Sequence, residues 1–194
     1  MEEAIYEKKI VLLTFVLIII SNSTVYANTD GKPKSYEEMY LEWGYIGVDE
    51  AISEFENHCK KDLKLPLRIP PLAFTHQFGI FNDMDDDMNN SVEVIFVSDQ
   101  HPENHYKVDV RPAKNRIKFT ERDIEGTYKL NDWSPASYIS LSPSQTQFYG
   151  LVFEKNNWQY ILSIDERVAD TITPEILIEI ANSIDYDSKK LFPT

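Results

Sequence analysis

Along this chain the apolar residues change their spacing several times, and each change marks an element. From Val48 to Leu63 they fall at Val48, Ile52, Phe55, Cys59 and Leu63, which puts one buried stripe on a helix. Asp49 and Glu50 near its start, and Lys60, Lys61 and Lys64 near its end, suit the helix dipole. Ahead of it, Ser35-Tyr36-Glu37-Glu38 has the form of a capping box and opens a short helix reaching about Trp43. Pro66, Pro70 and Pro71 then exclude helix and force an extended crossing. Beyond them the period shortens to that of strands, predicted at Leu72–Phe81, Val92–Val97, Tyr106–Val110, Gly126–Leu130 and Ala136–Leu141, with a short one at Arg116–Phe119. In the third, Val108 and Val110 share one face while Lys107 and Asp109 share the other.

The clearest hairpin joins Gln147–Glu154 to Trp158–Ile164 through Lys155-Asn156-Asn157, because asparagine tolerates the left-handed backbone of a tight turn. A last helix is announced by Thr173 as N-cap and Pro174 at the first helical position. Its apolar stripe is Ile176, Leu177, Ile180, Ala181 and Ile184. Together these elements predict an α+β fold: a curved antiparallel sheet of about six to seven strands with an N-terminal and a C-terminal helix packed on it. One domain spans 48–186, after a polar lead-in and short helix at 28–47, with a tail at 187–194.

The run Ile10–Ile20 belongs to neither pattern. It is apolar apart from Thr14, follows Lys8 and Lys9, and leads through Ser21–Thr24 to Val25-Tyr26-Ala27. A basic flank, a short apolar core and a small-x-small exit read as a secretory signal over 1–27 cleaved before Asn28. As a helix the run would cover about half of a bilayer's hydrocarbon core, so a retained anchor is the weaker reading. Glu2, Glu3 and Glu7 make the start less basic than usual. No cysteine follows the run at the cleavage point, which argues against lipid anchoring; Cys59 alone also rules out an internal disulfide.

With 32 acidic against 19 basic residues the chain carries a net charge of −13. That disfavours nucleic acid and anionic lipid as partners and fits a solvated acidic surface. Four candidate chemistries remain. Asp83, Asp85, Asp86 and Asp87, with Asn89 and Asn90, crowd hard oxygen ligands into one loop, and Asp83, Asp85 and Asp87 imitate the start of an EF-hand. Met88 and Val94 then occupy the positions where that loop needs glycine and a bidentate glutamate, so a solvated hairpin loop is expected and no metal or cofactor is assigned. His101 and His105, with Asp99 nearby, offer two imidazoles, but Pro102 places them in a loop and no third ligand is marked. His58 and Cys59 are neighbours on a helix, so they point about 100° apart, and Cys59 falls on the apolar stripe as a buried structural thiol. Phe148, Tyr149, Trp158 and Tyr160 concentrate aromatic rings on one hairpin, either as core or as the wall of an apolar groove. No nucleophile elbow, phosphate loop or dinucleotide fingerprint is present, so no catalytic residue is assigned.

Phe153-Glu154, Trp158-Gln159-Tyr160-x-Leu162 and Thr173-Pro174-Glu175-x-Leu177-x-x-Ile180-Ala181-Asn182-Ser183-Ile184 resemble the end of a domain-of-unknown-function family of Gram-positive bacteria, number four-three-six-seven. Leu65-Pro66-x-x-Ile69-Pro70 is similar to its opening. The likeness is concentrated in 148–186. It implies an exported or membrane-tethered extracytoplasmic domain and brings no catalytic residues with it. The chain departs from the pattern in its cleavable-looking signal and in lacking a large N-terminal partner domain.

The expectation is therefore a secreted or envelope-located, non-enzymatic domain that binds a protein, peptide or envelope ligand. Membrane contact would come only through the N-terminal segment if it is retained. A lipid- or hydrophobe-binding half-barrel and a weak calcium module are the alternatives. An apolar cavity on one sheet face would favour the hydrophobe carrier over an interaction module.

Overall fold

The structure, a computed structural model of the chain, describes residues 34–83, 90–141 and 147–184. Two helices lead: α1 (Tyr36–Glu42) and α2 (Val48–Cys59). They are followed by β1 (His76–Asn82), β2 (Ser91–Val97), β3 (His105–Pro112), β4 (Ile124–Lys129), β5 (Pro135–Leu141), β6 (Phe148–Lys155) and β7 (Trp158–Asp165), and then by α3 (Pro174–Asn182). Short 3-10 turns follow β3 and β7. Among the described residues the strands form one open antiparallel sheet in the order β1-β2-β3-β7-β6-β5-β4. β7 lies between two meanders and is buried along its whole length.

Registry divides the sheet into two faces. Val92, Val94, Val108, Val110, Leu151, Phe153, Tyr160 and Leu162 share the first, where α2 lays Ala51 and Phe55 and α3 lays Leu177, Ile180 and Ala181. This is the main core. Trp158 anchors its end: the ring sits 5.1 Å from Phe55, and Nε1 donates to the Asp62 carbonyl at 3.1 Å. Tyr160 donates likewise to the Lys64 carbonyl at 2.9 Å, so the proline-interrupted segment after α2 is held by buried aromatic donors.

The second face carries two smaller apolar clusters. Phe78, Ile95 and Val97 pack under Tyr36, Tyr40 and Tyr45, which makes α1 and the turn after it a cover for one end. Ile139, Val152 and Ile161 pack under Phe119 and Ile124 at the other.

Several boundaries differ from the sequence reading. α2 stops at Cys59 because Lys60 takes left-handed backbone (φ 52°) and its N–H returns to the Glu56 carbonyl. Leu63 is still buried, off the helix. β1 begins at His76, four residues later than expected. Residues 116–119 form no strand: the Gln159 side chain accepts from Ile117 N–H at 2.8 Å and donates to its carbonyl at 2.9 Å, taking the two groups a neighbouring strand would have paired. The Asn156-Asn157 turn does have positive φ at both residues (51° and 61°). Thr173 makes no side-chain cap bond to the helix backbone, and its hydroxyl bonds the Glu175 carboxylate instead.

Candidate functional site

Between the two covers, the second face is left open as a cleft of about 640 Å³. Strand alternation decides what lines it. Ile95 on β2, His105 and Lys107 on β3, Ser163 on β7 and Phe148 on β6 all point away from the helix-covered core. Tyr40, Trp43 and Tyr45 form the wall at the α1 end, and Leu141 closes the opposite side. Opposite Ser163 on β6 stands Gly150, where a Cβ would lie 3.3 Å from the Leu162 carbonyl oxygen and 3.5 Å from Leu141 Cδ1. The Leu141 and Ile161 side chains, the latter with Cγ2 also at 3.5 Å, cover the floor beside Ser163 at that point.

The polar groups of the cleft are arranged in a short chain. Tyr45 donates its phenol proton to Glu93 Oε1 at 2.5 Å, and Lys107 Nζ lies 3.0 Å from Glu93 Oε2. Burial, and then the bond to Glu93, push the Tyr45 phenol far above its ordinary range, so it stays a donor. Ser163, directly across from Lys107, is 1% exposed, and its hydroxyl has no hydrogen-bond partner. A buried polar atom left unpaired is uncommon and calls for a specific reason. His105 sits edge-on to Phe148 at 5.2 Å. Burial, and then the charge of Lys107, lower its pKa, so the imidazole is neutral at neutral pH.

Past the cleft the buried charges are satisfied. Arg111 grips Asp109 in bidentate fashion, with Nη2 at 2.9 and 3.2 Å from the two carboxylate oxygens. Asp165 accepts from the backbone and guanidinium of Arg167. These pairs leave Lys107, Ser163 and His105 as the cleft's polar groups with bonding capacity to spare.

The residues singled out in the sequence fall elsewhere for the most part. Asp83 is exposed just after β1, while Asp85, Asp86, Asp87 and Asn89 lie outside the described residues. Asn90 is buried, its Nδ2 donating to His58 Nε2 at 2.7 Å. His101 is exposed and 3.7 Å from Glu103, whereas His105 enters the cleft. Among the described residues no three His, Cys, Asp or Glu side chains group as metal ligands. Cys59 is half-buried against the main core. It and His58 line a separate, more polar hollow of about 510 Å³, although helix geometry argues against their facing each other. The aromatic hairpin splits by face: Trp158, Tyr160 and Tyr149 go to the core side, and Phe148 goes to the cleft.

Glu93, Lys107, Ser163 and the Tyr40–Tyr45 wall were not legible as a site. Lys107 reads as the solvent side of a half-buried strand, and Ser163 as one polar residue in Trp158–Ile164. The available signal was the density of that strand, WQYILSID, whose apolar residues do not alternate; a strand of that kind is covered on both faces. No protein-family model, no curated protein and no solved structure matches the chain. Among the described residues no helix is long and apolar enough to cross a membrane.

Proposed function

We propose that this protein is an exported, non-enzymatic binding domain that holds an amphipathic small molecule, or the apolar end of an envelope ligand, in the cleft between α1 and β5. The observation that carries the reading is the cleft's composition: aromatic and aliphatic walls over a floor with a few convergent polar groups, one of them a buried hydroxyl with its hydrogen-bonding capacity unused. Its volume lies in the range of small-molecule sites, about 300–1,000 Å³. Binding is favoured over turnover because the two charged side chains of the floor, Glu93 and Lys107, are tied to each other. The signal-like segment ending at Ala27 supports a place outside the cytoplasm. An apolar cavity also favours a hydrophobe binder over a plain protein-docking module.

Titration of residues 28–194 with N-phenyl-1-naphthylamine tests this. Saturable fluorescence enhancement at one site is expected, and Trp43→Ala weakens it; Trp43 is 61% exposed, so the fold does not depend on its ring. A folded protein that binds no such probe refutes the reading and returns the cleft to the role of a protein-docking surface.

A further inference from the structure

We infer that the ligand of this cleft presents a carboxylate to Lys107 and Ser163, with an apolar body lying along the aromatic wall. The inference rests on the cleft being the binding site and adds the chemistry of the head group.

Hydrogen-bonding capacity decides it. Glu93 is the carboxylate that lines the cleft, and each of its oxygens already faces a donor, Tyr45 on one side and Lys107 on the other. An ammonium has three N–H donors, and Glu93 occupies one of those of Lys107. The Ser163 hydroxyl adds a donor with no partner. Ser163 can also accept, and the neutral His105 ring brings one donor and one acceptor, so the excess of donors rests on the Lys107 ammonium, and an acceptor with no proton of its own satisfies it. A carboxylate meets that description and forms the stronger, charge-assisted bonds.

Position agrees with this count. Lys107 and Ser163 are registered partners on β3 and β7 and point to the same face, so one head group can reach both. The Lys107 side chain is 35% exposed, while the hydroxyl lies beneath the surface of the floor. Because the hydroxyl is covered, a ligand oxygen reaches it by displacing part of the floor. Gly150, beside Ser163 on β6, brings no side chain of its own, and Leu141 and Ile161 close over it from either side.

A cationic ligand fits less well, even though the chain as a whole is acidic. The aromatic wall alone would tolerate an ammonium, but the cleft's carboxylate, Glu93, is already held by Tyr45 and Lys107. To meet a cation, Glu93 would have to leave Lys107.

Calorimetric titration of residues 28–194 at pH 7 with decanoate and with decyltrimethylammonium, both below micelle formation, separates the possibilities. Decanoate should bind at least about tenfold more tightly. Ser163→Ala should weaken decanoate about fivefold and leave the ammonium unchanged. Lys107→Gln should weaken decanoate about tenfold or more. Removing an unpaired hydroxyl leaves the fold intact, so Ser163→Ala remains decisive if Lys107→Gln proves unstable. Equal or tighter binding of the ammonium, or decanoate binding indifferent to Ser163→Ala, overturns the head-group assignment and leaves the cleft as the binding site. Binding of neither probe overturns both.

Discussion

Gly79 sets how closely α2 approaches the sheet, and replacing it by alanine tests the packing of the main core at one atom. A Cβ at this position on β1 would lie 2.8 Å from Ala51 Cβ, 3.1 Å from Val48 Cα and 3.4 Å from the Gly47 carbonyl oxygen. Two of these three are main-chain atoms, so no rotamer change relieves them. The strand cannot shift freely either, because Gly79 exchanges backbone hydrogen bonds with Ile46 at 2.8 and 2.9 Å. Carbon atoms in contact ordinarily sit about 3.5–4.0 Å apart, so α2 must lift by roughly 1 Å. Overpacking of this kind costs about 1–3 kcal/mol. Loss of glycine's backbone freedom in the unfolded chain offsets about 0.4–1 kcal/mol of that. Gly79→Ala should therefore destabilise by about 1–2 kcal/mol. Ala51→Gly alone costs about 1 kcal/mol from helix propensity. In the double variant the 2.8 Å clash is gone, so the two losses should fall short of adding by about 1 kcal/mol. Urea unfolding followed by tryptophan fluorescence gives all three values. A Gly79→Ala protein as stable as the parent, or strict additivity, would refute this account of the α2–β1 contact.

Leu177→Ala should cost about 2–4 kcal/mol in the same assay, because Leu177 is fully buried in the core that α3 shares with the sheet. His105 should make stability fall on acidification: its folded pKa is depressed by burial, so its contribution is complete above the unfolded value of about 6.5 and is lost as pH drops toward the folded value. Unfolding at pH 7.5 and 5.5 should show that loss in the parent and a smaller one in His105→Gln. Mass spectrometry of protein recovered outside the cells should give an N-terminus at or near Asn28; intact chain confined to the cytoplasm would contradict export.

Local chemistry made some elements readable and not others. Asn156 and Asn157 announced their turn because positive φ selects few residue types, and both adopt it. The α3 stripe was visible because helical burial repeats within one segment. Residues 116–119 misled because an extended, partly apolar run looks the same whether its backbone partners are a strand or the Gln159 amide. The second sheet face was hidden for a related reason. Its cover comes from Tyr36, Tyr40 and Tyr45, in and just after a short helix predicted ahead of the main domain, and nothing within β2 or β3 says that this distant helix will shade Glu93 and Lys107. Alternation reports which residues share a face, and it does not report what lies above that face.

β7 is among the last elements synthesised, yet it occupies the middle of the sheet. Until residues 158–165 are available, β3 and β6 both present open edges, and each meander lacks the strand that joins it to the other. The two halves of the fold cannot close on each other during the early part of synthesis, because the piece that unites them arrives near the end. If the chain is exported from its N-terminus, as proposed above, this order would keep the two halves from closing on each other until the last strand emerges. The same order makes truncation before Trp158 far more damaging than its position suggests, since the fragment retains two strand sets with exposed edges and no partner for either.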